Sequence, residues 1–371
     1  MLKITNLVNG SVVNRNDGRE TDEFLEINVE GLAENFTDNV IVNGKTATRS
    51  RYAFKAPVRL TEKFNEIKVS VKNISGEFQQ SLKVVWDKKS FRRYDFFIDD
   101  NVFFLTDIAK GNFKSIFEHF YLKKLKELNK DYGTKFILNL FYRNDHSPFL
   151  IKDFPDKYKA EWQGNSDWLK LSFHAYSEFP DRPYQNATPE KLAADFDLVR
   201  DEIIRFAGAE TFQPPVVVHW GMVTPDAFPV LKERGVKVLS GQFINAKTYV
   251  GEQDKSQPTT DVGYYKDIET ASYLRENGVI YDFDNGLFFK KGNATCNLLT
   301  KDEIVRKLEQ IASREIVGLA THEQYSFEYY HNYIADHFER METAVRYLTE
   351  HDYKPVFSHE ALLGNEAWNL K

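Results

Sequence analysis

The chain has 371 residues, enough for two domains that each bury a core. Its 42% hydrophobic and 28% charged residues exclude a disordered chain, and a net charge of −6 without a basic stripe argues against nucleic-acid and polyanionic partners. The single cysteine, Cys296, excludes an internal disulfide framework.

The N-terminus carries no targeting signal that the sequence reveals. Residues 1–6 lack the apolar core of a signal peptide, and no stretch reaches the roughly twenty apolar residues of a membrane span. We therefore predict a cytoplasmic protein for the chain as it stands, without a membrane span; an export signal removed earlier would reverse that location. The oligomeric state cannot be predicted from these features.

Residues 1–90 are predicted to form a small all-β domain. The runs at residues 24–29 and 66–71 alternate apolar with polar side chains, the period of a strand with one solvated face. Turn signals such as Asn43-Gly44 separate these runs. The spacing indicates a β-sandwich that resembles the immunoglobulin-like modules found beside bacterial carbohydrate enzymes. Its predicted role is a spacer or, alternatively, a glycan-binding module.

Residues 91–371 are predicted to form an α/β domain in which strands and helices alternate. Helices are expected over residues 189–206, over 301–313 after a Thr300/Glu303 capping box, and over about 330–350. Residues 246–263 read as a long irregular loop that shapes specificity. About seven strands are expected, ending at Ile98, Leu140, Phe173, Val218, Leu239, Ala320 and Phe357.

Polar side chains follow several of these predicted strand ends. Because the C-terminal ends of parallel strands in a (β/α) barrel meet at one mouth, the side chains are expected to gather there. Histidines at three strand ends, together with an acidic pair, predict a metal or catalytic centre. In chain order the residues are Asp99, Asp100, His174, Glu178, His219, Trp220, His322 and Glu323.

The order of these motifs resembles the polysaccharide deacetylase family, whose NodB-homology fold is a distorted seven-stranded (β/α) barrel. Phe-Ile-Asp-Asp-Asn at residues 97–101 resembles the family's Thr-Phe-Asp-Asp-Gly, and His-Ala-Tyr-Ser-Glu at 174–178 its His-Ser/Thr-x-x-His. Leu-Ala-Thr-His at 319–322 resembles its closing strand. Glu178 replaces a histidine, Asn101 replaces a glycine, and the arginine of the third motif is missing.

The resemblance implies a metal-dependent hydrolase that removes acetyl groups from an N- or O-acetylated carbohydrate. Asp100 and His174 would hold a divalent ion, with either Glu178 or His219 as a further ligand. Zn²⁺ is the expected ion; Mn²⁺, Fe²⁺ or Co²⁺ are alternatives if a carboxylate takes the place of an imidazole.

The same resemblance assigns roles around the ion. Asp99 would be the general base and His322 would protonate the leaving group, while a backbone N–H near Trp220 would stabilise the oxyanion. Trp220 and Tyr325 are candidates to stack on a sugar, and Arg182 to grip a hydroxyl or carboxylate.

Two other functions remain open at this point. The first is a glycoside hydrolase that uses Asp99 and Glu323 as its paired carboxylates and needs no metal. The second is a catalytically inactive relative that binds glycans through its β-domain. Metal content separates the first of these from a deacetylase.

Overall fold

The computed structural model describes residues 2–34, 39–73, 76–245 and 263–369. The predicted irregular loop at 246–263 lies outside these residues, except for Gly263. The strands are β1 (Leu2–Ile4), β2 (Val12–Val13), β3 (Gly18–Glu20), β4 (Leu25–Ala33), β5 (Val40–Val42), β6 (Lys45–Thr46), β7 (Thr48–Ser50), β8 (Ala53–Leu60), β9 (Phe64–Asn73), β10 (Gly76–Trp86), β11 (Arg93–Asn101), β12 (Phe136–Phe141), β13 (Arg143–Asn144), β14 (Phe149–Leu150), β15 (Leu169–Ala175), β16 (Val238–Gly241), β17 (Phe243–Asn245), β18 (Tyr264–Lys266), β19 (Val279–Asp282), β20 (Leu287–Lys291), β21 (Ala294–Thr295), β22 (Ile316–His322) and β23 (Lys354–Pro355).

The α-helices are α1 (Phe103–Lys110), α2 (Phe120–Tyr132), α3 (Lys159–Gln163), α4 (Pro189–Ala207), α5 (Phe228–Glu233), α6 (Ile268–Asn277), α7 (Lys301–Glu309), α8 (His337–Glu350) and α9 (Ala361–Gly364). In the described part of the chain, none of them has the length and apolar character needed to cross a membrane.

The N-terminal part is all-β, as the alternating pattern predicts. One sheet has the order β1-β4-β8-β7, with β3 also paired to β4, and the other has the order β2-β10-β9-β5-β6. In β8 every second side chain is buried, from Phe54 to Leu60. The buried sides of both sheets contribute to one apolar cluster, so this part has its own core.

The second part is built on a parallel sheet with the order β15-β12-β11-β22-β21, in which β23 also pairs with the start of β11. All residues of β11 and β12 are buried, which is typical of parallel strands covered on both faces. A further sheet has the order β16-β20-β19. Lys290 of β20 forms a buried ion pair with Asp95 of β11 and so connects the two sheets.

Residues 211–218 run between β15 and β16 without forming the regular strand that the sequence predicts to end at Val218. Gln213 N–H donates to the Leu171 carbonyl, and Ser240 N–H donates to the Val216 carbonyl. Pro214 and Pro215 have no N–H, so the segment cannot form a continuous ladder, and only an isolated bridge between Leu171 and Phe212 is present. The seven-stranded barrel itself stays a prediction.

Helix boundaries follow local signals closely where a cap is encoded. The Thr188 side chain caps α4, and the predicted Thr300/Glu303 capping box starts α7. The predicted helix at 330–350 is wrong at its start, because α8 begins at His337. Residues 327–334 instead form consecutive turns, since aromatic and short polar residues favour the helix less than its later Glu- and Leu-containing part.

The two parts pack tightly against each other rather than being joined by an open linker. Val12 and Val85 of the β-domain share an apolar cluster with Phe288 and Trp368, whose rings stack at 4.6 Å. In the connection between β10 and β11, Asp87 and Arg93 form an ion pair at 3.0 Å with no solvent exposure. The C-terminal segment therefore ties the β-domain to the α/β domain.

We expect His337 to make the protein less stable in mild acid. Its imidazole is buried between the Thr321 and Ser326 hydroxyls, and burial lowers its pKa to about 3. The unfolded chain binds this proton near pH 6.5, so between these values the unfolded state holds more protons and the free energy of unfolding falls as pH falls, by about 1.4 kcal/mol per pH unit. Urea unfolding between pH 7 and 5 measures this slope.

The His337→Gln variant removes this contribution and should show a shallower decline, by about 1 kcal/mol per pH unit. His331→Gln, at an exposed position in the preceding turns, serves as the control with an unchanged slope. Equal slopes in the two variants would contradict the assignment.

Candidate metal centre

The acidic pair lies in a bulge at the end of β11. The register with β12 shifts between Ile98 and Asn101, and Asp100 has a φ of 61°, in the left-handed region. Asn101 holds the bulge, because its side-chain amide donates to the Ile98 carbonyl at 2.6 Å and accepts from Tyr121 Oη at 3.0 Å. Asparagine at this position therefore has a structural role of its own.

Asp100 meets two histidines, His174 near the end of β15 and His219 in the turn after residues 211–218. Its Oδ1 lies 3.1 Å from His174 Nε2 and 3.3 Å from His219 Nδ1, and these two nitrogens are 3.0 Å apart. Nitrogen and oxygen ligands bind Zn²⁺ at about 2.0–2.2 Å, which places ligand atoms on the same ion about 3 Å apart. All three residues are buried, and this group could hold a metal ion.

The two histidines each turn one nitrogen toward the Asp100 carboxylate. His219 Nε2 faces the Glu178 carbonyl at 3.2 Å and donates to it, so Nδ1 is the nitrogen that faces the centre. Burial lowers the pKa of His174 to about 4, so this imidazole is neutral at pH 7. Two imidazole nitrogens and a carboxylate converge there, and these are ligand types that a divalent ion such as Zn²⁺ takes.

The two adjacent carboxylates have opposite electrostatic surroundings. Burial acts to raise the pKa of Asp100, but hydrogen bonds with His174 and His219 outweigh it and hold the pKa well below its usual range. Burial, together with the charge of Asp100, raises the pKa of Asp99 well above its usual range. Asp99 also accepts a hydrogen bond from Asn139 Nδ2 at 2.7 Å. One carboxylate is therefore suited to bind a cation and the other to take up a proton.

Glu178 lies outside the Asp100–His174–His219 group, so the structure favours His219 as the further ligand. The Glu178 carboxylate contacts His146 Nε2 at 2.6 Å and Gln324 Nε2 at 2.9 Å. Its contribution to the centre is the backbone carbonyl that orients His219.

His322 is held near the centre by Asn297, the second residue after β21. His322 Nδ1 lies 2.9 Å from Asn297 Oδ1, an acceptor, so Nδ1 carries the proton and Nε2 is left as the second functional nitrogen. Burial lowers the pKa of His322, while the negative charge of Asp100 opposes this shift. The Tyr325 ring lies 6.0 Å from the His322 ring.

Trp220 and Arg182 come together at the rim. The Arg182 guanidinium lies over the Trp220 ring, 5.3 Å from its centroid, and the Trp220 side chain is 38% exposed. Trp220 has a φ of 66°, and its ring makes an edge-to-face contact with the buried His219, with 6.1 Å between the ring centroids. A stacking surface for a substrate would therefore include both side chains.

Glu323 caps helix α1 from a distant part of the chain. Its Oε2 accepts from the N–H groups of Val102 and Phe103 at 2.6 and 2.8 Å, and its Oε1 accepts from Phe104 N–H at 2.6 Å. Val102, the N-cap residue, provides no side-chain cap of its own. Both carboxylate oxygens are thus occupied by backbone donors, which leaves Glu323 poorly suited to be a glycosidase acid or nucleophile.

Replacing Glu323 with Gln should lower the free energy of unfolding by about 2–3 kcal/mol, because the amide NH₂ would face backbone donors in a buried site. Chemical denaturation measures the loss. Glu328→Gln, at an exposed position five residues later, should change stability by less than about 0.5 kcal/mol. A Glu323→Gln variant as stable as this control would contradict the capping role.

Several residues of the centre were missed by the sequence reasoning: Asn139, His146, Asn297 and Gln324. Asn139 left a signal, since it is the one polar residue in the apolar strand β12 and buried polar side chains need partners. The other three lie in turns after strands, where polar residues are common. Their sequence positions carried no comparable signal.

The chain has no matching protein-family model and no matching curated protein. Among solved structures it is similar to the titin domains Z1Z2 in complex with telethonin, with 12% sequence identity and a TM-score of 0.18. The match covers 27% of this chain and 58% of the titin chain, so it spans little more than half of the titin chain's length. A likeness of this size carries no argument about fold or function.

Proposed function

We propose that this chain is a metal-dependent hydrolase that removes acetyl groups from an N- or O-acetylated carbohydrate, with a NodB-like barrel as its second domain. The observation that carries the proposal is the buried group of Asp100, His174 and His219 with Asp99 directly beside it. The motif order that resembles the polysaccharide deacetylases supports the same function. Zn²⁺ is the ion we expect, with Mn²⁺, Fe²⁺ or Co²⁺ as alternatives.

Asp100, His174 and His219 would hold the divalent ion. A bound divalent ion supplies Lewis acidity, which polarises a carbonyl and lowers the pKa of a nearby water. The remaining chemistry belongs to the protein's own side chains. Asp99, hydrogen-bonded to Asn139, takes the proton as the water oxygen bonds to the acyl carbon.

The second half of the reaction breaks the bond to the sugar. His322, oriented through Nδ1 by Asn297, delivers a proton from Nε2 to the leaving nitrogen or oxygen as the C–N or C–O bond breaks. Its lowered pKa makes the imidazolium a stronger acid than a free histidine. The products are acetate and the free amine or hydroxyl of the sugar.

The proposal is tested by metal content and acetate release. Purified protein is assayed by elemental analysis, then incubated with chitooligosaccharides and with acetylated xylan, with and without EDTA. We expect about one equivalent of a first-row divalent ion and acetate release that EDTA abolishes and Zn²⁺ restores. Release of neutral sugars without a metal would instead indicate a glycoside hydrolase. Glycan binding without metal or acetate would indicate an inactive relative.

A further inference from the structure

His219 is less firmly held by its own chain segment than His174, the other histidine of the metal group. His174 lies within β15, whose ladder to β12 fixes its backbone. His219 instead lies in a short turn after residues 211–218, which form no regular strand. A histidine that binds a metal is oriented by the hydrogen bond of its second ring nitrogen. The partner of His219 Nε2 therefore decides how this imidazole faces the ion.

The peptide group between Glu178 and Phe179 connects His219 to a carboxylate. Its carbonyl accepts from His219 Nε2 at 3.2 Å, and its N–H donates to Asp145 Oδ2 at 2.9 Å. Hydrogen bonds in a chain polarise one another, so a negative charge at the N–H end strengthens the acceptor at the carbonyl end. Asp145 thus acts on His219 across a single peptide group.

Side chains fix this peptide group, although the segment between β15 and α4 is irregular. The Glu178 carboxylate contacts His146 Nε2 at 2.6 Å and Gln324 Nε2 at 2.9 Å. Asp145 is only 10% exposed, and its Oδ1 accepts from Arg143 Nε at 2.7 Å. Asp145 and His146 are neighbours in the β13–β14 hairpin, so one hairpin holds both the peptide group and the side chain next to it.

We infer that Asp145 is a positioning residue for the metal ligand His219 and acts through the peptide group between Glu178 and Phe179. This inference rests on the proposed function for the presence of the metal, and it does not depend on the substrate. Asp145 keeps His219 Nε2 bonded to the carbonyl, so that Nδ1 stays directed at Asp100, 3.3 Å away. A donor bond to a polarised carbonyl also makes the imidazole a more basic ligand.

Co²⁺ binding measures this role without an assay of hydrolysis. Co²⁺ serves as the probe because, unlike the d¹⁰ ion Zn²⁺, it absorbs visible light in a way that depends on ligand geometry. In an Asp145→Asn variant the amide NH₂ would face either Phe179 N–H or Arg143. Co²⁺ should bind about tenfold more weakly, at the lower end of the 10- to 100-fold loss typical of outer partners, and its spectrum should change.

Asp282→Asn provides a matched control. Asp282 is 12% exposed and, like Asp145, pairs with a basic side chain, Lys266, and accepts from a backbone N–H, that of Asn285 at 3.1 Å. Neither partner belongs to the metal group, so the Co²⁺ affinity and spectrum should match those of the unaltered protein. Equal Co²⁺ affinity and identical spectra in the Asp145→Asn and Asp282→Asn proteins would overturn the inference.

A second variant, Glu178→Gln, tests the same path with Asp145 unchanged. Its backbone carbonyl remains, but the side-chain NH₂ would face one of the donors from His146 and Gln324, so the peptide group loses support. Co²⁺ affinity should fall. The Asp145→Asn/Glu178→Gln double variant should lose less affinity than the two single losses multiplied, because both changes act on one peptide group. Fully independent losses would contradict the shared path.

The same measurements separate a failure of this inference from a failure of the proposed function. Unaltered protein that binds Co²⁺ with no dependence on Asp145 contradicts only the inference. Unaltered protein that binds no divalent ion contradicts the proposed function and the inference with it. Co²⁺ binding that depends on Asp145, in a protein that releases no acetate, supports the positioning role and contradicts the deacetylase.

Discussion

An Asp100→Asn variant should lose its bound divalent ion and at least about three orders of magnitude of acetate release, because the Lewis acidity of a metal is worth several kcal/mol in the transition state. The change removes the only negative charge among the three converging ligand atoms. Asparagine tolerates the left-handed backbone at this position at least as well as aspartate, so the bulge should persist. Elemental analysis and acetate assays measure the two losses separately.

A change at the neighbouring Asp99 separates metal binding from acetate release. Asp99→Asn should keep the ion but lose acetate release, since Asp99 is assigned to the proton and not to the metal. Asp302→Asn, in the exposed first turn of α7, should change neither property. If Asp100→Asn retains as much metal as the unaltered protein, the assignment of this centre is wrong.

Replacing Arg93 with Met should cost about 3–5 kcal/mol of stability, a large part of the 5–15 kcal/mol that typically holds a domain folded. Arg93 is fully buried and donates to Asp87 Oδ2 at 3.0 Å and to the Phe91 carbonyl at 2.8 Å. It also donates to the Leu363 carbonyl, which anchors the C-terminal segment. Methionine would leave the buried Asp87 charge without its partner. Urea unfolding followed by tryptophan fluorescence measures the loss.

Two variants test whether the effect comes from the buried pair. Arg59→Met breaks an exposed ion pair with Glu26 and should cost no more than about 1 kcal/mol. The Asp87→Asn/Arg93→Met double variant should be more stable than the sum of the two single changes predicts, because the uncompensated charge is gone. Equal costs for Arg93→Met and Arg59→Met would contradict this account.

Features encoded within a few residues could be predicted from the sequence. The period-two alternation of β4 and β8, the apolar runs of β11 and β12, and the Thr300/Glu303 capping box each depend on neighbours in the chain. The position of the Asp99–Asp100 pair at a strand end was predictable for the same reason. Helix α1 was not, because its cap comes from Glu323, more than two hundred positions away.

Only the tertiary structure decided which of the candidate ligands lie together. His219 and Glu178 were equivalent candidates in the sequence, yet the backbone directs the Glu178 carboxylate to His146 and its carbonyl to His219. The packing of the β-domain through Asp87 and Arg93 likewise depends on the C-terminal segment. Local sequence determines which side chains stand at strand ends, whereas the path of distant segments determines which of them meet, because that path depends on packing between residues far apart in the chain.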